Sequence, residues 1–378
     1  MTPKERIVAA FRGEQPDLVP VSPELWDVIP IRVSGRPWHE FSATSFGRTP
    51  LWRAQLEAYR FFGCEAWVPV EPGPSPRQLG MLESASEFLD PEAIRTRVRW
   101  RNRRGELTAV KLSSLDYDLW NQTAPVRELE RDLPVIEEFF FEDPEALDYA
   151  AVREAWEATG EQGICEGIVG NTFFEFLTLH REGGAVQAIL DLHDHPDYLS
   201  AVQARYAAYA ADVAEAICDR TAVEGLFLNC GSSSLNIVSP GLFARWDLPV
   251  VRAVAEVARR RGRIFHYHLH GKGRALLDGL VQAGVSMLCP LESPPKGDFL
   301  LGEVKERFGG RLALKGGVDP FLLRDGSDAE LEAQVRRAIE EAAPGGGYTL
   351  ATGDGVLKET SFDRLRRLVE LGRRYGSY

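Results

Sequence analysis

The 378-residue sequence lacks several features that would assign it to a class at once. It has only five cysteines, an odd number without a Cys-x-x-Cys pair, which predicts reduced thiols instead of a disulfide framework. No run of 18 apolar residues occurs, and charges interrupt the apolar pattern of the N-terminus, so we expect neither a membrane span nor a secretory signal. These absences predict a cytoplasmic protein.

Positive charge is also scarce. Lysine and arginine number 44 against 56 acidic residues, and the net charge of −12 argues against nucleic acid or an anionic membrane as a partner. The sequence has no Gly-x-Gly-x-x-Gly fingerprint, Walker loop or Gly-x-Ser-x-Gly elbow. Nucleotide-dependent chemistry and serine hydrolysis are therefore disfavoured.

The sequence does contain a regular alternation of short apolar runs with amphipathic helical stretches. Thr2-Pro3-Lys4-Glu5 supplies an N-cap, a proline at the first helical position and a capping-box glutamate, which predicts a helix start. The alternation predicts an α/β fold, namely a single TIM-type (β/α)8 barrel over residues 1–378. The eight candidate strands are Val19–Leu25, Ala66–Glu71, Ile164–Val169, Gly225–Cys230, Ile264–His270, Ser286–Glu292, Leu312–Val318 and Tyr348–Asp354.

Residues 73–130 interrupt this alternation. A proline-rich stretch is followed by strand-like segments at 98–101 and 106–112, on either side of the turn sequence Asn102-Arg103-Arg104-Gly105. This pattern predicts a hairpin insertion after the second strand. Since no stretch has linker composition, we expect one domain.

Polar residues recur where the candidate strands end. Because side chains alternate between the two faces of a strand, residue parity assigns these polar groups to the barrel interior. Barrel enzymes place their chemistry at the carboxyl ends of the strands. The residues concerned are Glu24, Glu71, Asn229, Glu292, Asp319 and Asp354, and Asn171 opens the helix after the third strand, where it could cap that helix or contact substrate.

The fifth candidate strand carries three of the seven histidines, His266, His268 and His270, on one face. Same-face neighbours lie roughly 6 to 7 Å apart by strand rise. A metal ion could join two of them at about 2.0 to 2.1 Å per nitrogen if a third ligand completes the site. The alternative is a set of hydrogen-bonded histidines without metal.

Three further features each allow two interpretations. Glu292 could be a fourth ligand or a base, and Asp354, between two glycines, could belong to the site or simply to a turn. The segment 229–234 could bind an anion through its backbone N–H groups or be a solvated loop. Cys289 has the opposite parity to Glu292 in a regular strand, which predicts that it faces the helix layer.

Several segments together resemble the uroporphyrinogen decarboxylase-like superfamily. They are the opening residues 2–6 and 13–21, Ser239-Pro240, His268-Leu269-His270-Gly271, residues 314–320, and residues 345–348 leading into Thr352-Gly353-Asp354-Gly355. The resemblance covers almost the whole chain in the right order, although each motif alone is loose. It implies a TIM-type barrel.

The superfamily has two well-known branches. Tetrapyrrole decarboxylases are metal-free and grip substrate carboxylates with an Arg-Gln-Ala-Gly-Arg segment after the first strand, where this chain has an acidic segment, residues 22–27. Zinc-dependent cobalamin methyltransferases hold zinc by a His-x-Cys-Gly strand end and a later cysteine. By position, His268 matches the histidine, whereas His270 and Asp354 replace the two cysteines. The resemblance thus implies a harder, more Lewis-acidic metal centre, which argues against methylation of a thiol.

We therefore interpret the chain as a metal-dependent methyltransferase acting on a small molecule or a corrinoid-borne methyl group. The alternatives are a metal-dependent decarboxylase, lyase or hydrolase of a small carboxylated substrate, and a non-catalytic barrel that binds a corrinoid or tetrapyrrole. Zinc or another divalent metal is the expected cofactor, and a corrinoid protein and a second copy of the chain are candidate partners. The assigned residues are His268, His270 and Asp354 for metal, Glu292 and Asp319 for catalysis, and Glu24, Glu71, Asn171 and Asn229 for substrate binding.

Overall fold

A computed structural model describes residues 1–115 and 120–378 of the chain. Its strands are β1 (Ala66–Val70), β2 (Leu82–Asp90), β3 (Ala93–Asn102), β4 (Gly105–Ser114), β5 (Trp120–Thr123), β6 (Gly163–Asn171), β7 (Gly225–Cys230), β8 (Ile264–Leu269), β9 (Met287–Leu291), β10 (Ala313–Val318) and β11 (Tyr348–Thr352). Strands β1 and β6 to β11 form one parallel sheet in chain order, and β2 to β5 form a separate antiparallel sheet.

Helices follow most of the parallel strands. They are α1 (Pro3–Phe11), α2 (Val28–Ser34), α3 (Leu51–Phe62), α4 (Pro76–Met81), α5 (Leu129–Phe140), α6 (Ala150–Thr159), α7 (Phe173–His180), α8 (Gly184–Asp194), α9 (Pro196–Arg220), α10 (Pro240–Trp246), α11 (Leu248–Arg261), α12 (Leu277–Ala283), α13 (Leu301–Phe308), α14 (Pro320–Asp325), α15 (Asp328–Ala342) and α16 (Phe362–Tyr375). The predicted capping box at Thr2 and Glu5 is confirmed. None of these helices is both long and apolar enough to cross a membrane.

The parallel sheet explains the position of the polar residues. Each of its strands is almost entirely buried, as expected when a parallel sheet is covered on both faces. Because all seven strands run in the same direction, their carboxyl ends meet at one edge. The α/β class and the parallel sheet are as predicted, whereas the number of regular strands differs.

The predicted first strand, Val19–Leu25, is not a regular strand. It makes a single parallel bridge, between Val21 and Leu350 of β11, with hydrogen bonds from Ser22 N–H to Leu350 O (2.9 Å) and from Leu350 N–H to Pro20 O (2.9 Å). Pro20 and Pro23 have no N–H group to donate to a ladder, so the pairing cannot extend along the segment. The segment nevertheless lies between β11 and the start of β1.

The insertion after β1 is larger than the predicted hairpin. Strands β3 and β4 pair antiparallel on either side of Arg103 and Arg104, with Asn102 opposite Gly105. Strand β2 adds to one edge and β5 to the other, which makes four strands instead of two. Residues 116–119 of the predicted insertion lie outside the described residues.

A buried carboxylate, that of Glu65, joins the ends of the parallel sheet. It accepts hydrogen bonds from the Val21 N–H (2.9 Å), from Nη1 of Arg6 (2.8 Å) and from Nη2 of Arg373 (2.8 Å). The Glu65 N–H in turn donates to Val21 O at 3.1 Å. One side chain therefore links the irregular segment, α1, α16 and the start of β1.

We predict that Glu65→Gln lowers the free energy of unfolding by about 3 kcal/mol, because it removes the charge that two partly buried guanidinium groups share. Urea denaturation at neutral pH measures this change. Glu57→Gln, an exposed glutamate on α3, is the matched control and is expected to stay within about 0.5 kcal/mol of the parent. Equal stability of the two variants would contradict the assigned role of Glu65.

Candidate functional site

A cavity of about 420 Å³ lies at the carboxyl ends of the parallel strands. Strand ends supply its polar groups, and Trp26, Ile168 and Phe227 supply its main apolar walls. Six of the nine residues singled out from the sequence line this cavity, namely Glu71, Asn171, Asn229, His268, His270 and Asp354. Within it, Asn229 Nδ2 donates to Asn171 Oδ1 at 2.9 Å, which orients both amides.

The two histidines at the end of β8 face each other. Their Nε2 atoms are 2.7 Å apart, His268 Nδ1 lies 3.0 Å from Cys289 Sγ, and His270 Nδ1 lies 2.9 Å from Glu292 Oε1. Two imidazole nitrogens at this separation must share one proton or one cation, since two lone pairs repel each other and two N–H groups clash.

The two imidazoles have opposite electrostatic environments. Burial, with added repulsion from His270, His266 and Lys315, holds the pKa of His268 well below its usual value. Burial alone would also lower the pKa of His270, but its hydrogen bond to Glu292 and the charge of Asp354 outweigh that effect and raise it. Of the two imidazoles, His270 is therefore the one that holds a proton more readily.

Among the described residues, the potential metal ligands form two groups, each with its ligand atoms within 4.8 Å of one another. His270, Glu292 and Asp354 form one group, and Glu24, His268 and Cys289 form the other. The close contact between the two Nε2 atoms joins the groups. The predicted metal triad therefore spans both groups, and Glu292, predicted as a fourth ligand or a base, lies beside His270.

The donor set fits a divalent metal ion. Imidazole nitrogen and carboxylate oxygen are zinc ligands, and Glu292 Oε2 is buried without a hydrogen-bond partner. The Nζ of Lys296 contacts the Asp354 carboxylate and lies 3.8 Å from Glu292 Oε1. An ion bound by both carboxylates would displace this ammonium group.

Cys289 does not face the helix layer, so its predicted position is wrong. It is the register partner of His268 on the adjacent strand and is fully buried beside it. The error came from counting parity between Cys289 and Glu292 in a regular strand, whereas β9 has a bulge: Leu288 and Leu291 pair with Leu314 and Gly316, so three residues of β9 stand opposite two of β10. Counting within the strand from Met287, the partner of His266, would have placed Cys289 correctly.

Three of the nine predicted residues lie outside the cavity lining. One is Glu292, which contacts His270. Glu24 is buried below His268, where Lys315 binds one of its oxygens and the other has no partner. Asp319 is the N-cap of α14 and accepts the Phe321 N–H at 2.8 Å. Their roles in substrate binding and catalysis remain predictions.

Deeper in the interior lies a buried network that sequence analysis missed. Glu166 Oε2 contacts His266 Nδ1 at 2.7 Å and accepts the indole N–H of Trp67 at 2.6 Å. The Nζ of Lys315 lies 4.2 Å from the centre of a Trp67 ring, in cation–π contact. His266 is therefore held by Glu166, away from the metal-ligand groups. Glu166 is the third residue of the third candidate strand, and its interior parity was the available signal.

The parallel sheet with polar groups at its carboxyl edge defines a barrel-type α/β protein with its site at the strand ends. Residues 165–375 match the family model for uroporphyrinogen decarboxylase (URO-D), and the chain belongs to that family. The superfamily resemblance predicted from the sequence is thereby confirmed.

Individual relatives match smaller parts of the chain. A Streptomyces coelicolor uroporphyrinogen decarboxylase is 33% identical over 139 residues, which are 36% of this chain and 37% of that protein. An Arthrobacter uroporphyrinogen decarboxylase is 44% identical over 71 residues, 19% of this chain and 20% of that protein. The matches thus span only a fifth to somewhat over a third of these curated relatives.

One solved structure matches over nearly the full length. A methyltransferase from Methanosarcina mazei superposes with a TM-score of 0.63 at 19% identity, covering 99% of each chain. At this identity the likeness establishes the fold that the two proteins share.

The segment after β7, considered above as an anion site, already binds a carboxylate of the chain itself. The Ser232 N–H donates to Glu175, so one backbone donor of this loop is satisfied from within the chain.

Asp247 is a second buried carboxylate near this loop, and it accepts the Phe174 N–H at 2.8 Å. Burial, together with the charge of nearby Glu175, raises the pKa of Asp247 to about 7 against the opposing effect of its hydrogen bonds.

We predict that Asp247→Asn gains stability relative to the parent as pH rises from 5 to 8. The unfolded chain ionises Asp247 near pH 4, whereas the folded chain keeps the proton to about pH 7, so parent stability falls as pH rises through this window. The relative gain should reach about 1 kcal/mol or more, measured by urea denaturation at both pH values. Asp212→Asn, an exposed aspartate on α9, should show no such trend. A constant difference between Asp247→Asn and parent at both pH values would refute the prediction.

Proposed function

We propose that the chain is a metal-dependent methyltransferase that acts on a small molecule or on a methyl group carried by a corrinoid. The observation that carries the proposal is that Glu292 and Asp354 converge on His270, whose Nε2 lies 2.7 Å from Nε2 of His268 at the cavity. We take the fold to be a closed (β/α)8 barrel in which the irregular segment 19–25 fills the eighth place.

In this proposal His268 Nε2, His270, Glu292 and Asp354 hold a divalent ion, with zinc the best fit to a mixed nitrogen and oxygen donor set. Such an ion, when bound, supplies Lewis acidity to an atom of the substrate. Cys289 keeps His268 oriented through its Nδ1, and Glu292 either ligates or accepts a proton. Asn171 and Asn229 present fixed amides to the substrate.

The likeness to the Methanosarcina mazei methyltransferase supports this assignment at the level of the fold, because it extends over both chains. A corrinoid protein is the candidate methyl donor. The family name suggests decarboxylation instead, but among the described residues no lysine or arginine lines the cavity, and carboxylate-rich substrates need such groups.

We predict that the purified chain binds about one divalent metal ion and that His268→Ala, His270→Ala and Asp354→Ala each lose it. Removal of a direct ligand should lower affinity by more than the roughly 10- to 100-fold typical of groups that only orient ligands. Mass spectrometry of metal content after chelator-free purification measures this. His193→Ala, which removes an exposed imidazole, is the control and should retain full occupancy.

The metal assignment fails if the parent stays metal-free after reconstitution with zinc, iron or manganese. It also fails if all three ligand variants keep full occupancy while remaining folded by circular dichroism. Loss of metal in His193→Ala as well would point to nonspecific binding.

We predict that the zinc-loaded chain transfers methyl groups and does not decarboxylate uroporphyrinogen. Formation of methylcobalamin from cob(I)alamin and a panel of methylated amines, ethers and sulfides, followed by absorbance, tests the first part, with His270→Ala as the inactive control. An anaerobic uroporphyrinogen assay tests the second, since no lysine or arginine among the described residues lines the cavity. Coproporphyrinogen formed at about 1 per second or faster, with no methyl transfer, would overturn the proposal.

A further inference from the structure

A second cavity, of about 270 Å³, adjoins the one that holds the histidines. The two share Glu71, Ile168, Gly170 and Asn171 in their linings. Whereas the first cavity is lined by strand ends, the second has a largely aromatic wall formed by Phe139, Phe140, Phe176, His180, Tyr206 and Tyr209. We call it the aromatic cavity.

The aromatic wall is held by ring contacts and hydrogen bonds. Phe140 packs against His180 with ring centres 4.5 Å apart, and Phe176 stacks on Tyr206 at 4.9 Å. His180 Nδ1 lies 2.7 Å from Phe176 O, and the Tyr206 hydroxyl donates to Asn171 O at 2.8 Å. These bonds fix the rings before any ligand enters.

His180 adds no positive charge to this wall. Burial lowers its pKa to about 4, so it is neutral at physiological pH. Because its Nδ1 must donate to the Phe176 carbonyl, its Nε2 is left as a hydrogen-bond acceptor.

Glu71 stands at the junction of the two cavities and has no hydrogen-bond or ion-pair partner in the described part of the chain. Glu71 is exposed to the cavities. The surrounding protein nevertheless partly desolvates its carboxyl group, which raises the pKa of Glu71. Among the described residues, neither cavity lining includes a lysine or an arginine. A carboxylate without a counter-ion therefore faces an aromatic wall.

We propose that the aromatic cavity binds the alkylated ammonium group of the substrate, with Glu71 as its counter-ion and the ring faces as a cation–π surface. As a statement about the substrate of the methyltransferase, this rests on the function proposed above. The binding itself depends only on Glu71 and the aromatic wall. An anionic ligand would meet the Glu71 carboxylate without a compensating cation, and a neutral one would leave that carboxylate unpaired.

Choline is a suitable probe because 3,3-dimethylbutan-1-ol has the same shape without the charge. Isothermal titration of the full chain, both chelator-treated and zinc-loaded, compares choline, this alcohol and propionate. We expect choline to bind at least tenfold more tightly than the alcohol, and propionate not to bind detectably.

Two variants test the assigned residues. Glu71→Gln should remove the preference for choline while leaving the affinity for the alcohol unchanged, and it should fold normally because Glu71 has no partner in the fold. Phe176→Leu should weaken choline binding about fivefold. The controls, Glu57→Gln and Phe321→Leu, alter an exposed glutamate and an exposed phenylalanine elsewhere and should bind choline like the parent.

The proposal is overturned if choline fails to bind below about 10 mM, if choline and the alcohol bind equally, if propionate is preferred, or if Glu71→Gln keeps the preference. The chelator-treated sample separates this result from the proposed function. Choline binding without metal binding would retain the ammonium site and reject the metal-dependent reaction, and metal binding without choline binding would do the reverse.

Discussion

The buried carboxylate of Glu65 is the constraint on which the rest of the structure depends. It receives hydrogen bonds from a backbone N–H of the irregular segment and from arginines of α1 and α16. A segment interrupted by Pro20 and Pro23 cannot secure itself to a sheet by ladder bonds. Side-chain bonds do this instead, which allows the chain to pass between β11 and β1 and lets the strand ends surround a cavity.

Behind the lining of that cavity lies a network of buried polar groups, in which Trp67 and His266 pack against the lining residue Phe227. Glu166 binds His266 and Trp67, and Lys315 binds Glu24. Buried charges of this kind are costly unless paired, and a paired set has few alternative arrangements. The hydrogen bonds and the ion pair of this network thus fix the surroundings of His268 and His270 before any ligand binds.

Sequence analysis located most of the cavity because parallel strands place their ends together whatever their detailed pairing. Glu71, Asn171, Asn229 and the two histidines of β8 could all be found this way. It failed where a bulge interrupts a strand, as for Cys289, and where proline removes ladder bonds, as for the segment 19–25. Partners distant in sequence, such as Glu65 with Arg373 and Glu166 with His266, left no local pattern to detect.

In the proposed metal site, the ion pair between Lys296 and Asp354 would compete with a bound ion. Any incoming ion must displace the ammonium group from the Asp354 carboxylate. The observed affinity for the metal would therefore reflect the difference between the carboxylate–ion and the carboxylate–ammonium interactions. Because Lys296 is about half exposed, the displaced ammonium moves into water without a desolvation cost. In the proposed site this exchange would disfavour weakly coordinating ions such as Mg²⁺, which gives up its water reluctantly, relative to zinc. The lysine would thereby make the proposed site selective among divalent ions.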